Sequence, residues 1–245
     1  MKLIVANWKM NPVSVAEAIE LAEASDYDNF VICPPYPFLQ AVKSVIKKAK
    51  LGAQDLFWSG PTGAYTGEVS AAELKKFGVE YVIIGHSERR KLGETNEMVA
   101  KKMAAAAKEG LIPILCIGET LEEKKAGLRE KVLSEQLKIG FSEIENWKLK
   151  IGNLYIAYEP VWAISTNPNA EPDTPEETQK VIKFISNLPN IQHLKSNIQF
   201  LYGGSVNAEN AQSFLELKDI SGALVGGASL KKDQIWKINH YQKIY

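Results

Sequence analysis

Tyr81-Val82-Ile83-Ile84-Gly85-His86-Ser87-Glu88-Arg89-Arg90 passes from four uncharged, mostly β-branched or aromatic residues through a glycine into a histidine and a charged helix start. A run with no polar alternation and no charge reads as a strand buried on both faces, the kind found in parallel sheets. Its chemistry-bearing residues stand at the carboxyl end. The same arrangement recurs three times. Leu3 to Ala6 precedes Asn7-Trp8-Lys9, Leu154 to Ala157 precedes Tyr158-Glu159-Pro160-Val161-Trp162, and Ile198 to Leu201 precedes Tyr202-Gly203-Gly204-Ser205. A lysine, a histidine, a glutamate and a glycine pair therefore all sit where strands end.

Working outward, four more apolar runs complete the series: Phe30 to Cys33, Leu51 to Ala53, Pro113 to Ile117 and Ala223 to Val225. The eight runs alternate with helical patterns, the signature of an α/β chain. Ser14/Glu17, Ser70/Glu73, Thr120/Glu123 and Thr174/Glu177 have capping-box spacing, and Pro175 stands at the favoured first helical position. Val99, Met103, Ala106 and Ala107 follow helical spacing, and Gly110 can end that helix. No Ser/Gly tract, charge block or low-complexity segment divides the chain, so one domain over residues 1–245 is expected. Eight such units could form an open doubly wound sheet or a closed (β/α)8 barrel. An open sheet gathers its site at one switch point from few strands. Here the marked residues follow strands 1, 4, 6, 7 and 8, which converge only around a ring, so the barrel is expected.

The composition, 45% hydrophobic and 24% charged with a formal net charge of +0, is ordinary for a globular protein. The basic residues are scattered, which argues against nucleic acid or an anionic membrane as partner. No apolar stretch approaches the roughly 18 residues needed to span a bilayer. Cys33 and Cys116 each lie inside an apolar run and read as buried, reduced thiols of a cytoplasmic protein.

From end to end the chain resembles the triosephosphate isomerase family. Asn7-Trp8-Lys9-Met10-Asn11, Gly63-Ala64-Tyr65-Thr66-Gly67-Glu68, Gly85 to Arg90, Ala157-Tyr158-Glu159-Pro160-Val161-Trp162 and Tyr202-Gly203-Gly204-Ser205-Val206 look like that family's motifs in its order. The resemblance implies a TIM barrel that interconverts dihydroxyacetone phosphate and D-glyceraldehyde 3-phosphate in glycolysis and gluconeogenesis, without metal or organic cofactor. Triosephosphate isomerase is itself a standard illustration of this barrel and of tuned acid–base pairs, so these roles are carried over rather than discovered.

Moving a carbonyl between adjacent carbons needs a base for a carbon-bound proton, an electrophile for the carbonyl oxygen, and charge to steady the enediolate. Glu159 is the expected base, its carboxylate following a strand and fixed by Pro160. His86 is the expected electrophile. Ser87 can cap a short helix starting at Glu88, whose dipole would bias the imidazole toward its neutral form. His193 and His240 have no such context. Lys9 supplies fixed positive charge, since a lysine just after a buried strand is costly unless it lines a site, and Asn7 stands beside it as an amide donor. By resemblance Glu88 pairs with Lys9 and holds it in place. Phosphate is expected against backbone N–H groups of Ser165, of Gly203-Gly204-Ser205 and of Gly226-Gly227, the last pair near a helix amino terminus.

The lid departs from its relatives. The family usually continues from Pro-Val-Trp into Ala-Ile-Gly-Thr-Gly-Lys. This chain reads Ala163-Ile164-Ser165-Thr166-Asn167-Pro168-Asn169-Ala170-Glu171-Pro172-Asp173-Thr174-Pro175, about three residues longer, with Ser165 and Asn167 in place of both glycines. If the first position requires positive φ, serine adds about 1 kcal/mol of strain or more. An altered hinge with intact chemistry is the expectation.

Gly60 to Gly67 is too polar and glycine-rich for core. The resemblance makes it an interdigitating homodimer loop, with Thr66 reaching toward the partner's site. Trp58, Trp147 and Trp236 are expected in the core. Two rival readings are a Schiff-base aldolase, which Lys9 on the first strand suits poorly, and a non-catalytic barrel, which the joint presence of Lys9, His86 and Glu159 opposes.

Overall fold

A computed structural model describes residues 1–143, 154–164, 170–194 and 198–241. Its strands are β1 (Leu3–Asn7), β2 (Phe30–Cys33), β3 (Lys50–Ala53), β4 (Tyr81–Ile84), β5 (Ile112–Ile117), β6 (Leu154–Tyr158), β7 (Ile198–Tyr202) and β8 (Gly222–Val225). They pair in chain order, all parallel, and β8 pairs back to β1 to close the barrel. The closed ring removes sheet edges and leaves every strand buried on both faces, which is why the runs lack polar alternation.

The alternation is present all the same, between two apolar environments. Val5, Val31, Ile83, Ile114, Cys116, Tyr155, Ala157, Leu201 and Leu224 pack together as the inner cluster of the barrel. Their strand neighbours, such as Ile4, Ile32, Ile84, Leu115 and Ile156, belong to the larger cluster under the helices. At β3 the inner position is Gly52, where a Cβ would meet Cys33 Sγ at 2.4 Å, so β2 fills that part of the interior. Cys33 and Cys116 are both buried and free.

The helices around the barrel are α1 (Val15–Ala24), α2 (Leu39–Val45), α3 (Ala71–Lys76), α4 (Ser87–Lys91) and α5 (Asn96–Lys108). They continue with α6 (Leu121–Lys125), α7 (Arg129–Gly140), α8 (Pro175–Ser186), α9 (Ala211–Leu215) and α10 (Lys232–His240). Full capping boxes start α3 at Ser70/Glu73 and α6 at Thr120/Glu123. Ser14 and Thr174 cap α1 and α8 by accepting the backbone N–H of Glu17 and Glu177. Gly110 follows α5 with φ +66°, a conformation that glycine adopts without cost.

Strand bounds differ from the apolar runs by one residue at Asn7, Lys50, Ile112, Tyr158, Tyr202 and Gly222. Gly222 joins β8 because β1 passes so close that a Cβ there would stand 1.9 Å from the Leu3 carbonyl oxygen. The core reading fails for Trp236, which is 52% exposed and stacks on the His240 ring at 3.8 Å. Helical phase explains this, since Ile235, Ile238 and Asn239 take the buried face of α10. Trp58 is half-buried against Phe57, and Trp147 lies outside the described residues.

Candidate active site

Counting two residues on from the inner-cluster position of a strand lands on the site. Val5 leads to Asn7, Ala157 to Glu159, Leu201 to Gly203 and Leu224 to Gly226, all at the carboxyl-terminal mouth of the barrel. A cleft of about 410 Å³ opens there, lined by Asn7, Lys9, His86, Glu159, Ser205, Gly226 and Gly227 among others. The expected base, electrophile, charge and glycine turns are thus brought to one place.

Glu159 is 2% exposed. Its backbone N–H donates to the Ile117 carbonyl at 2.7 Å, and its Oε2 accepts the Ser87 backbone N–H at 3.1 Å. Oε1 stands 3.1 Å from His86 Nε2. The opposite ring atom, Nδ1, accepts the backbone N–H of Glu88 at 3.2 Å. An imidazole nitrogen that accepts must carry a lone pair, so the ring proton sits on Nε2, facing the cleft.

One expectation for His86 is corrected. The helix begins at Ser87 rather than Glu88, and His86 itself is the capping residue, through Nδ1. Burial pushes the imidazole toward neutrality, while the Glu159 and Glu88 carboxylates together lift the His86 pKa above its ordinary value.

Lys9 follows β1 with φ +54°. For a side-chain-bearing residue that conformation costs about 1 kcal/mol or more, and it is held by surrounding contacts. The Lys9 N–H donates to Asn7 Oδ1 at 3.0 Å, its carbonyl accepts Gln54 Nε2 at 2.8 Å, and its Nζ bonds Glu88 Oε1 at 2.6 Å. Opposite stands Gly226, where a Cβ would come 3.2 Å from Lys9 Cε. Gly227 opens a short 3-10 helix, Gly227–Leu230, and Gly226, Gly227 and Ala228 line the cleft. Gly203 packs against Glu159 itself, since a Cβ would meet Glu159 Cγ at 2.7 Å.

Several supports escaped sequence reading. Gln54 bridges the carbonyls of Lys9 and Cys33, and only its place just after β3 hinted at a role. Arg90 braces the β4 turn by donating to the Gly85 carbonyl at 2.8 Å and to Asn96 Oδ1 at 2.6 Å. Glu119 is fully buried, accepting from Trp162 Nε1 and Arg129 Nε, each at 2.9 Å, and from the Tyr158 hydroxyl at 3.1 Å. That knot fixes the chain immediately after Glu159-Pro160. Ser165 and residues 166–169 lie outside the described residues, so the lid glycine replacements have no structural counterpart here. Thr66 is exposed and does not line the cleft of its own chain. Among the described residues no cluster of His, Cys, Asp and Glu could hold a metal ion, and no helix is long and apolar enough to cross a membrane.

An eight-stranded parallel barrel that gathers a buried carboxylate, an imidazole, an ammonium and glycine turns at its carboxyl-terminal mouth defines a (β/α)8-barrel enzyme of acid–base chemistry on a small anionic substrate. The profile of the triosephosphate isomerase family matches residues 2–242. The triosephosphate isomerase of Dictyoglomus turgidum is 43% identical over 97% of this chain and 98% of its own length. That of Aquifex aeolicus is 42% identical over 97% and 98%, and that of Clostridium tetani 39% identical over 98% and 96%. The chain belongs to the triosephosphate isomerase family. It is an isomerase of the glycolytic reaction that interconverts dihydroxyacetone phosphate and D-glyceraldehyde 3-phosphate.

Proposed function

We propose that Glu159 is the base, His86 the electrophile and Lys9 the fixed charge of this isomerisation, acting within one domain over residues 1–245. Their convergence on one cleft, with His86 Nε2 and Glu159 Oε1 in direct contact, is the observation that supports it most. Glu159 exchanges the Ser87 N–H for the substrate and takes a proton from the carbon beside the carbonyl. His86 donates its Nε2 proton toward the carbonyl oxygen as negative charge builds there, and Lys9 stabilises that charge. The same carboxylate then returns a proton to the neighbouring carbon. Phosphate sits against the N–H groups of Ser205, Gly226 and Gly227, joined by Ser165, with Asn7 and Glu88 holding Lys9 at the angle required. The Lys9–Glu88 ion pair is the opposite of the unpaired, desolvated amine that an aldolase needs.

Turnover of glyceraldehyde 3-phosphate in deuterium oxide tests the scheme. A carboxylate base exchanges its proton with solvent during the enediolate's lifetime, so dihydroxyacetone phosphate carrying deuterium on carbon 1 is expected. Product with no solvent label, in the parent protein, would point to a direct hydride shift and remove Glu159 as base.

The working unit we propose is a cytoplasmic homodimer. Residues 60–68 form an exposed run, and Met10 and Leu92 are 91% and 79% exposed around a second cleft of about 480 Å³. That cleft shares Asn7, Lys9 and His86 with the active-site cleft. The Gly60 to Gly67 loop of a second copy, led by Thr66, fills it in this reading and covers those apolar side chains. A single species at the mass of one chain in sedimentation equilibrium, at micromolar concentration, would refute the dimer. Recovery with the membrane fraction of disrupted cells would refute the compartment.

A further inference from the structure

The turn after β7 brings Ser205, Val206 and Asn207 to the cleft wall and leads into α9. Asn210 stands at the capping position of α9, yet its side chain makes no capping bond. An asparagine there ordinarily accepts a backbone N–H from the first turn of its own helix. This one reaches back instead. Its Oδ1 accepts the Asn207 N–H at 2.9 Å, and its Nδ2 donates to the Ser205 carbonyl at 2.8 Å. A backbone N–H can only donate and a carbonyl can only accept, so the two contacts fix the amide in one orientation and use both of its ends.

The rest of the turn is arranged to support that reach. Asn207 Oδ1 accepts the backbone N–H groups of Glu209 and Asn210, at 2.8 and 3.1 Å, which seats Asn210 facing Ser205. Upstream, the Gly203 N–H donates to the Tyr158 carbonyl at 2.8 Å. Gly204, the residue with the widest backbone freedom in this stretch, therefore lies between two anchors, Gly203 on β6 and Ser205 on Asn210. Asn210 itself does not line the cleft. Its effect on a bound molecule must pass through the Ser205 backbone. By turning its side chain away, it also leaves α9 without the stabilisation that a capping side chain gives.

We propose that Asn210 is a positioning residue for the isomerase reaction: its side-chain amide holds the Ser205 backbone in the conformation that receives the substrate's phosphate. The inference deepens the reading of Ser205 as part of the phosphate seat and rests on it. A backbone fixed before the anion arrives has less freedom to lose on binding, so the amide contributes to affinity for phosphate. Proton transfer at Glu159, on the other side of the cleft chemistry, does not depend on it.

The experiment uses the whole protein and three variants, Asn210→Ala, Asn210→Asp and Ser213→Ala. The readouts are KM and kcat for glyceraldehyde 3-phosphate, the competitive inhibition constant of inorganic phosphate, and kcat/KM for D-glyceraldehyde, the same aldose without phosphate. Asn210→Ala is expected to raise KM and the phosphate inhibition constant about five- to tenfold, the scale of one lost hydrogen bond, with kcat within about twofold of the parent. Its kcat/KM for D-glyceraldehyde should match the parent's, which a general loosening of the barrel would not allow. Asn210→Asp has the same shape and still accepts the Asn207 N–H, but an ionised carboxylate cannot donate to Ser205. It should be at least as impaired as Asn210→Ala, measured at about 0.5 M salt so that its added charge is screened beyond about 4 Å. Ser213→Ala is the control: its hydroxyl donates to the Asn210 carbonyl at 2.8 Å, within α9 and away from Ser205, and parental constants are expected. Unchanged KM and phosphate inhibition in Asn210→Ala would overturn the proposal. So would parental constants in Asn210→Asp, an equal loss in Ser213→Ala, or a proportional loss with D-glyceraldehyde. Absence of turnover in the parent, or parental turnover that inorganic phosphate does not inhibit, would overturn the functional reading instead, whereas normal parental behaviour with an insensitive Asn210→Ala overturns this inference alone.

Discussion

Glu159→Asp is expected to lower kcat by about 10³-fold, with KM within a few-fold of the parent and the melting temperature almost unchanged. Charge and basicity survive this substitution, and reach does not. The backbone at Glu159 is clamped by its N–H on the Ile117 carbonyl at 2.7 Å and by the neighbouring Gly203 N–H on the Tyr158 carbonyl at 2.8 Å. It cannot advance to compensate for a missing methylene. The carboxylate retreats by about 1.5 Å from the carbon it must deprotonate, and displacements near 1 Å already cost about 10²-fold in such near-attack geometries. Ground-state binding rests on other groups, Lys9 and the glycine turns, so the loss falls on kcat. Steady-state kinetics in both directions check it. A variant retaining more than a tenth of the parental kcat would mean that the base is another residue.

Strand parity explains how much could be read in advance. Every strand carries an inner and an outer residue in alternation, and the inner series at β1, β6, β7 and β8 extends past the strand end onto Asn7, Glu159, Gly203 and Gly226. Period-two geometry is a property of the sequence, so these positions were visible once the apolar runs were recognised as strands. His86 breaks the parity. Gly85, at φ +75°, turns the chain before it, and the histidine then caps α4 through its own ring rather than through Ser87. Lys9 keeps the parity from Val5 through Asn7 but takes a positive φ that no sequence rule assigns to a lysine. Such a conformation is held by a local contact with Asn7 and by tertiary contacts with Gln54 and Glu88, from two other segments.

Charge state was legible for the same reason only in part. A histidine ahead of a helix suggests a neutral ring, yet the ring's environment is set by a residue 73 positions away that folds to within 3.1 Å of it. The buried knot of Glu119 with Arg129, Trp162 and Tyr158 is another long-range product: sequence shows four unremarkable polar or aromatic residues, and only closure of β5 beside β6 makes them one unit. Local patterns decided elements, and barrel closure decided partners.

Gly118→Ala should be the most damaging single-methyl change near the site, lowering kcat by about 10²-fold and stability by about 1–3 kcal/mol. Gly118 directly follows β5, and the backbone of Glu159 crosses it so closely that a Cβ would lie 1.8 Å from the Glu159 carbonyl oxygen and 2.6 Å from its carbonyl carbon. Those are backbone atoms, which no rotamer change can move aside. Gly118 cannot retreat either, because the Gln136 amide holds both its N–H, at 2.9 Å, and its carbonyl, at 3.0 Å. Relief must come from shifting the Glu159 backbone by more than 1 Å, which carries the base out of line. Gly222→Ala is the control. Its Cβ would strike the Leu3 carbonyl at 1.9 Å, an equally hard backbone collision, but where β8 and β1 begin, at the barrel end opposite the cleft. Both variants should melt lower, by about 2–4 °C for each kcal/mol lost. Only Gly118→Ala should lose kcat in its folded fraction. Equal kcat in the two variants would show that Glu159 is not held in place by the close passage of β5, and that the base tolerates a displaced backbone.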